Sequence, residues 1–388
     1  MGPSKAGDFP PGVRSVKALS SRAPALDARR QHVVFFVVVA AVVAAGFAVA
    51  RSRMPASHAR DVLDAVPGDS WLVVTVDVAA LRASPLARPL LGGGTSELAG
   101  LGPLPEACGF DPVPRLRTLA VASPEGGERG DFGVVFDGDL TRSELATCAE
   151  KIIGARGGRP SSTTREGFAV VEDGGDAKRT RLAYRDGGPF LVGRGAWLDT
   201  MIDAFARKHE RAAANAQHAA LRAALAGRGA AAPTILLTAL LPKTLRERLK
   251  AEMGAEVGSE GDRAYSAVLA VEAAGIALAA GAPGQSTDLT AELRCETAEA
   301  CVDVKKLIER KRAELSKGFA ARLLGLSPLL DSMAVEVRGQ ALEVTAHAPS
   351  SEVADAVQRL VDLRRPPQPP GGGGGGSAGA GWTDAGTR

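Results

Sequence analysis

Between His32 and Arg51 the chain runs for 18 residues, Val33–Ala50, without one charged side chain. No other stretch restricts the fold so strongly. As a helix the run is about 27 Å long, close to the hydrocarbon thickness of a bilayer. Buried helices of soluble domains are usually shorter and carry polar residues. A cleaved export signal is the competing reading, because Ala48, Val49 and Ala50 resemble a small-residue cleavage site. Against it, the run exceeds the usual ~7–15 residue signal core, and about 30 residues precede it. The expectation is an uncleaved signal anchor over residues 31–53.

Flanking cations set the orientation. Residues 1–30 carry Lys5, Arg14, Lys17, Arg22, Arg29 and Arg30, whereas residues 51–70 carry only Arg51, Arg53 and Arg60. That bias keeps residues 1–30, a disordered tail, in the cytoplasm and exports the chain beyond Arg51. The expected location is a bacterial inner membrane, crossed once, with the bulk of the chain periplasmic. At the other end, residues 364–388 begin "RRPPQPPGGGGGG" and hold too little apolar surface to pack. A net charge of +3 gives no electrostatic footprint for nucleic acid, and 4% aromatic residues give no stacking platform.

The remaining chain repeats a pattern. "PGDSWLVVTVDVAALRASPLARPLL" from Pro67 and "APTILLTALLPKTLRERLK" from Ala232 each run turn, strand, helix. Each leads into further strands, an amphipathic helix, more strands and a closing helix. In residues 287–295, Leu289, Ala291, Leu293 and Cys295 alternate with Asp288, Thr290, Glu292 and Arg294, the pattern of a half-buried strand. Cys301, Val304, Ile308 and Leu315 share one helical stripe, as do Val353, Val357, Leu360 and Leu363, and Leu198, Ile202 and Phe205. "NAQHAALRAALAG" reads as a linking helix capped by Asn215. "MAVEVRGQALEVTAHA" reads as a hairpin turning at Gly339-Gln340, with Met333, Val335 and Val337 inward and His347 outward. The fold class expected is α+β: two tandem similar domains, 60–230 and 231–363, each an antiparallel sheet covered by helices on one face.

"AVPGDSWLVVTVDVAALRASPLARPLL" and "EACGFDPVPRLRTLAVA" resemble elements of uncharacterised bacterial envelope proteins with an N-terminal membrane anchor and tandem α+β domains. The resemblance covers residues 60–363 in outline, supports location and architecture, and implies no activity.

Cys108, Cys148, Cys295 and Cys301 allow three pairings. Cys295 ends the inward face of a strand, and Cys301 lies on the inward face of the next helix. Cys148 shares a helical stripe with Leu145 and Ile152. One bond per repeat, Cys108–Cys148 and Cys295–Cys301, is the economical assignment in an oxidising compartment. Four free thiols acting as small apolar residues is the alternative.

No catalytic motif emerges. "HERAAANAQH" from His209 lacks the second histidine of H-E-x-x-H, and His209 and His218 read as an exposed helix face. "LGGGT" from Leu91 lacks the Gly-Lys-Ser/Thr of a phosphate loop. Asp139 or Thr141 suits a helix cap better than an acid catalyst. Lys305, Lys306, Arg310, Lys311 and Arg312 form the densest basic run, a solvated face or a contact for an anionic surface such as lipid headgroups. No cofactor or metal is expected. The expected function is a membrane-anchored, extracytoplasmic binding or scaffold protein without catalytic activity, partnered by the membrane and an envelope protein or ligand. The alternatives are a carrier or chaperone for an apolar ligand and an enzyme with an unrecognised site.

Overall fold

The computed structural model describes residues 62–91, 105, 108–125, 131–174, 180–226, 232–247 and 266–364. The anchor over 31–53, the two tails and the glycines after Leu91 lie outside them. Among the described residues no helix is long and apolar enough to cross a membrane.

Strand β1 (Ser70–Asp77) opens a meander with β2 (Leu116–Pro124) and β3 (Gly133–Gly138). Helix α1 (Val78–Arg82) and helix α2 (Ala87–Leu91) come after β1. The Asp77 carboxylate caps α1 by accepting from the Ala80 amide at 2.8 Å. Helix α3 (Arg142–Ala155) comes after β3, started by a capping box in which Thr141 and Glu144 satisfy each other's amides. Strands β4 (Pro160–Arg165), β5 (Phe168–Asp173), β6 (Thr180–Tyr184) and β7 (Phe190–Arg194) return, and α4 (Trp197–Phe205) closes the half. Helix α5 (Ala216–Ala226) links to a second meander, β8 (Ile235–Leu240), β9 (Val271–Ala279) and β10 (Ser286–Cys295). Helices α6 (Ala298–Lys317), α7 (Phe319–Leu324) and α8 (Ser327–Ser332) precede the hairpin β11 (Ala334–Arg338) and β12 (Ala341–Pro349), and α9 (Ser350–Arg364) is the last element.

The two expected sheets are one. All twelve strands form a single sheet in the order β11-β12-β10-β9-β8-β1-β2-β3-β7-β6-β5-β4. The seam is the antiparallel pair β1–β8, with Val74 opposite Leu237. The described residues belong to one compact unit. The physical reason is edge chemistry. As separate sheets, the first strand of each half would present unpaired amides and carbonyls, and joining them satisfies both edges at once. Outward from the seam the halves still read alike, β1-β2-β3-β7 and β8-β9-β10-β12. In each, the last strand returns to lie beside the third strand of the meander.

Helices also cover both faces rather than one. One face, called here the disulfide face, carries α3 over Phe136, Leu182 and Phe190, and α6 over Leu293, Leu342 and Val344. At one end of this face α1, α2 and α9 pack on Val76 and Leu278. The opposite, histidine face carries α4 and α5. There Gly275, Thr238, Val73, Ala122, Gly133 and Gly193 stand in register across neighbouring strands. Such small residues let the helices come close: a Cβ on Gly275 would lie 2.6 Å from Leu225 Cδ1, and one on Gly133 2.8 Å from Trp197 Nε1. This second layer explains why Glu292, placed on the solvent side of β10 by alternation, is only 2% exposed.

His218 is a further correction. It is fully buried, not on an exposed helix face. Asn215 caps α5 by accepting from the amides of Gln217 (3.0 Å) and His218 (3.2 Å). His218 Nε2 lies 2.9 Å from the Ser70 carbonyl, which can only accept, so Nε2 carries the proton. Nδ1 then accepts from Thr238 Oγ1 at 2.8 Å. One imidazole thus bolts α5 under both seam strands. Burial foremost, and the Arg222 charge as a lesser cause, hold its pKa below the usual 6.5, while the Ser70 contact opposes them. The unfolded chain therefore binds more protons below that value. This part of the stability is complete above pH 6.5 and is lost as pH falls through the folded-state pKa. Melting temperature should fall with pH across that window, and His218→Ala should flatten the dependence while losing roughly 3 kcal/mol in denaturant titrations. An unchanged pH profile in the variant would count against the bolt.

Candidate binding surface

The cysteines pair as Cys108–Cys148 and Cys295–Cys301, with Cα atoms 4.4 Å and 5.5 Å apart. Each bond fixes the first two turns of a long helix, α3 or α6, to the chain beside its half of the sheet. Two disulfides fit an oxidising, extracytoplasmic compartment.

The buried polar side chains serve structure. Ser70 Oγ donates to Pro67 O at 2.7 Å, Ser84 Oγ to Leu81 O at 2.8 Å, and Thr287 Oγ1 to Ser350 Oγ at 2.9 Å. Arg294 Nε reaches Glu292 at 3.1 Å. Nearer the surface, Arg115 grips Glu144 through two nitrogens at 2.8 and 3.0 Å. With that guanidinium first and the Thr141 bonds second, the Glu144 pKa falls to about 2. Arg165 joins Asp199 and Asp203, both on α4, at 2.9 and 2.8 Å. Among the described residues no group of His, Cys, Asp or Glu is arranged to hold a metal ion.

The predicted basic run lies along α6 and is laced with acids. Lys305 pairs with Glu309 at 3.7 Å, Lys306 with Asp303 at 2.9 Å and Lys311 with Glu314 at 2.7 Å. Arg312 donates to the Met333 carbonyl. Thr141, as expected, is a cap.

The feature that sequence reading missed is an aliphatic row on the disulfide face. Val121, Val74, Leu237, Ile276 and Ala291 stand in register on β2, β1, β8, β9 and β10. The first three are half-buried and Ile276 is 40% exposed. The long helices flank the row: α3 packs on the β3 side and α6 on the β10 side. A strip of Val, Leu and Ile between two helices can accept an apolar side chain or hydrocarbon, but it holds no group to move a proton. β1 reads "WLVVTVD", apolar toward both faces, so alternation could not mark the row.

No protein-family model matches the chain, and no curated protein matches it. Crystal structures of TP0453, a Treponema envelope protein, are similar. Crystal form I gives a TM-score of 0.42 at 12% identity, covering 78% of this chain and 98% of that one. Form III gives 0.42 at 12%, covering 78% and 99%.

The bonds should not contribute equally. On loop-closure entropy, Cys108–Cys148, spanning 40 residues, stabilises by about 3.9 kcal/mol, and Cys295–Cys301, spanning 6, by about 2.2 kcal/mol. Paired serine substitutions of the first bond should therefore lower the denaturation midpoint further than those of the second. Peptide mapping of unreduced protein should return these two pairs, and a bond between the halves would contradict the structure.

Proposed function

We propose that the chain is a membrane-anchored, extracytoplasmic binding protein that acts without catalysis, its N-terminus in the cytoplasm and its sheet outside. The half-exposed aliphatic row between α3 and α6 carries this reading. A folded sheet ordinarily buries such a strip, and leaving it open disfavours solubility unless a partner uses it. The disulfides support the compartment, and the uncharged run Val33–Ala50 supports the tether. The partner meeting the row is an apolar segment of an envelope protein. An apolar small ligand is the second reading, favoured by the same row because hydrocarbon fits it equally well.

A photocrosslinking residue at Ile276 in the full chain, activated in cells, should give a discrete protein adduct. The same residue at Ser162, exposed on edge strand β4 in the structure, should not. Lipid or another small molecule attached at Ile276 would move the assignment to the carrier reading. An unmodified chain at both positions would overturn the binding face. A reporter active only outside the cytoplasm, fused after Leu363, should be active, and an inactive fusion would overturn the topology.

A further inference from the structure

Two helical stripes do not finish where their periodicity says they should. Leu315, expected inward on α6, is 52% exposed, and Leu360, expected inward on α9, is 42% exposed. Phe319 and Leu323, one turn apart on α7, are 77% and 59% exposed. These are four of the seven large apolar side chains exposed among the described residues, and all four lie on α6, α7 or α9. Helix α7 packs against both α6 and α9. Arg359 donates to the Leu323 carbonyl at 3.2 Å, which ties α9 to α7 one residue before Leu360. Gly318 ends α6 and starts α7, so Leu315 and Phe319 flank the joint.

The α6–α7 side of this corner is cationic, whereas on α9 Arg359 and Arg364 are matched by Asp355 and Asp362. Residues 310–322 contain Arg310, Lys311, Arg312, Lys317 and Arg322 against Glu314 alone, five positive charges to one negative, a net of +4. Glu314 faces Lys311 at 2.7 Å. Arg322 and Arg359 each donate to a backbone carbonyl, of Lys317 and Leu323. The acid-laced part of the basic run, Lys305 and Lys306, lies more than a helical turn away, toward the N-terminus of α6.

We propose that the α6–α7–α9 corner rests on an anionic bilayer, with Phe319, Leu323, Leu315 and Leu360 in the headgroup layer and Lys317, Arg322 and Arg359 on lipid phosphates. Bulky apolar side chains inside a cationic rim match that boundary, where hydrocarbon lies beneath negative charge. A second copy of the chain is the poorer occupant, because it would bring one net positive rim against another. The inference rests on the tethered reading, which puts a bilayer within the chain's reach.

The test uses the full chain reconstituted into vesicles of phosphatidylcholine, alone or mixed with phosphatidylglycerol. An environment-sensitive dye is attached at Phe319→Cys, or at Ser162→Cys on β4 as the remote control. Both positions are exposed, so neither substitution threatens the core. The dye at 319 should shift to the blue and be quenched by spin-labelled lipid when phosphatidylglycerol is present. The quenching should drop several-fold in phosphatidylcholine alone, in high salt, and in the charge reversal Lys317→Glu with Arg322→Glu. The dye at 162 should keep its aqueous emission throughout. A chain that floats with the vesicles while its 319 dye stays aqueous overturns the corner contact and leaves the tether standing. A chain that does not float overturns both. A 319 dye shielded equally in detergent, and untouched by spin-labelled lipid, is covered by protein and likewise overturns the contact.

Discussion

The pairing of β1 with β8 is the interaction on which the rest of the molecule depends. It merges a seven-stranded and a five-stranded array into one twelve-stranded sheet. Without it, each half would expose an apolar edge strand with a full row of unsatisfied backbone groups. The seam is fixed from below by one side chain. His218 meets β1 at the Ser70 carbonyl and β8 at the Thr238 hydroxyl, so the position of α5 and the register of the two halves are set together. Because the ring is fully buried and bonded at both nitrogens, its neutral state is part of the fold.

Around the seam, the two faces solve different packing problems. On the histidine face, small residues in register allow α4 and α5 to lie against the backbone, and even Glu292 is covered. On the disulfide face, the long helices α3 and α6 sit at the flanks, each fixed near its start by a disulfide. Anchoring both helices outside the middle of the sheet is what leaves Val121, Val74, Leu237 and Ile276 between them. The open aliphatic row is thus a consequence of where the helices are tied. The corner at Phe319 has a similar origin. The break at Gly318 turns the chain from α6 into α7 before the stripe of α6 can complete its contact with the sheet.

The polar and the apolar groups of the described residues are sorted to different places. Among the described residues, the buried polar groups close turns, caps and strand junctions, and the strongest carboxylate perturbation, at Glu144, comes from a capping box and an arginine clamp. What stands open is apolar, in two places of different character. The sheet row has no charged residue in register with it, whereas the α6–α7 side of the corner carries a net positive charge. The proposed protein-facing strip and the proposed lipid-facing corner differ in this way, because lipid phosphates reward cations at the rim and an apolar protein segment does not.

The sequence by itself determined the local features. The alternation of β10, the turn at Gly339, the cap at Thr141, the buried stripe of Leu198, Ile202 and Phe205, and the proximity of Cys295 to Cys301 each depend on residues close along the chain. The likeness of the halves was also legible, because it is a likeness of order. Only the tertiary structure decided that the halves share one sheet, that His218 and Glu292 are buried, and that Leu315 and Leu360 are not. The reason is common to all three. Periodicity states which side chains lie on one side of an element, but burial depends on what covers that side. The cover is supplied by β1 meeting β8, and by helices crossing from elsewhere in the chain, contacts that no local pattern encodes.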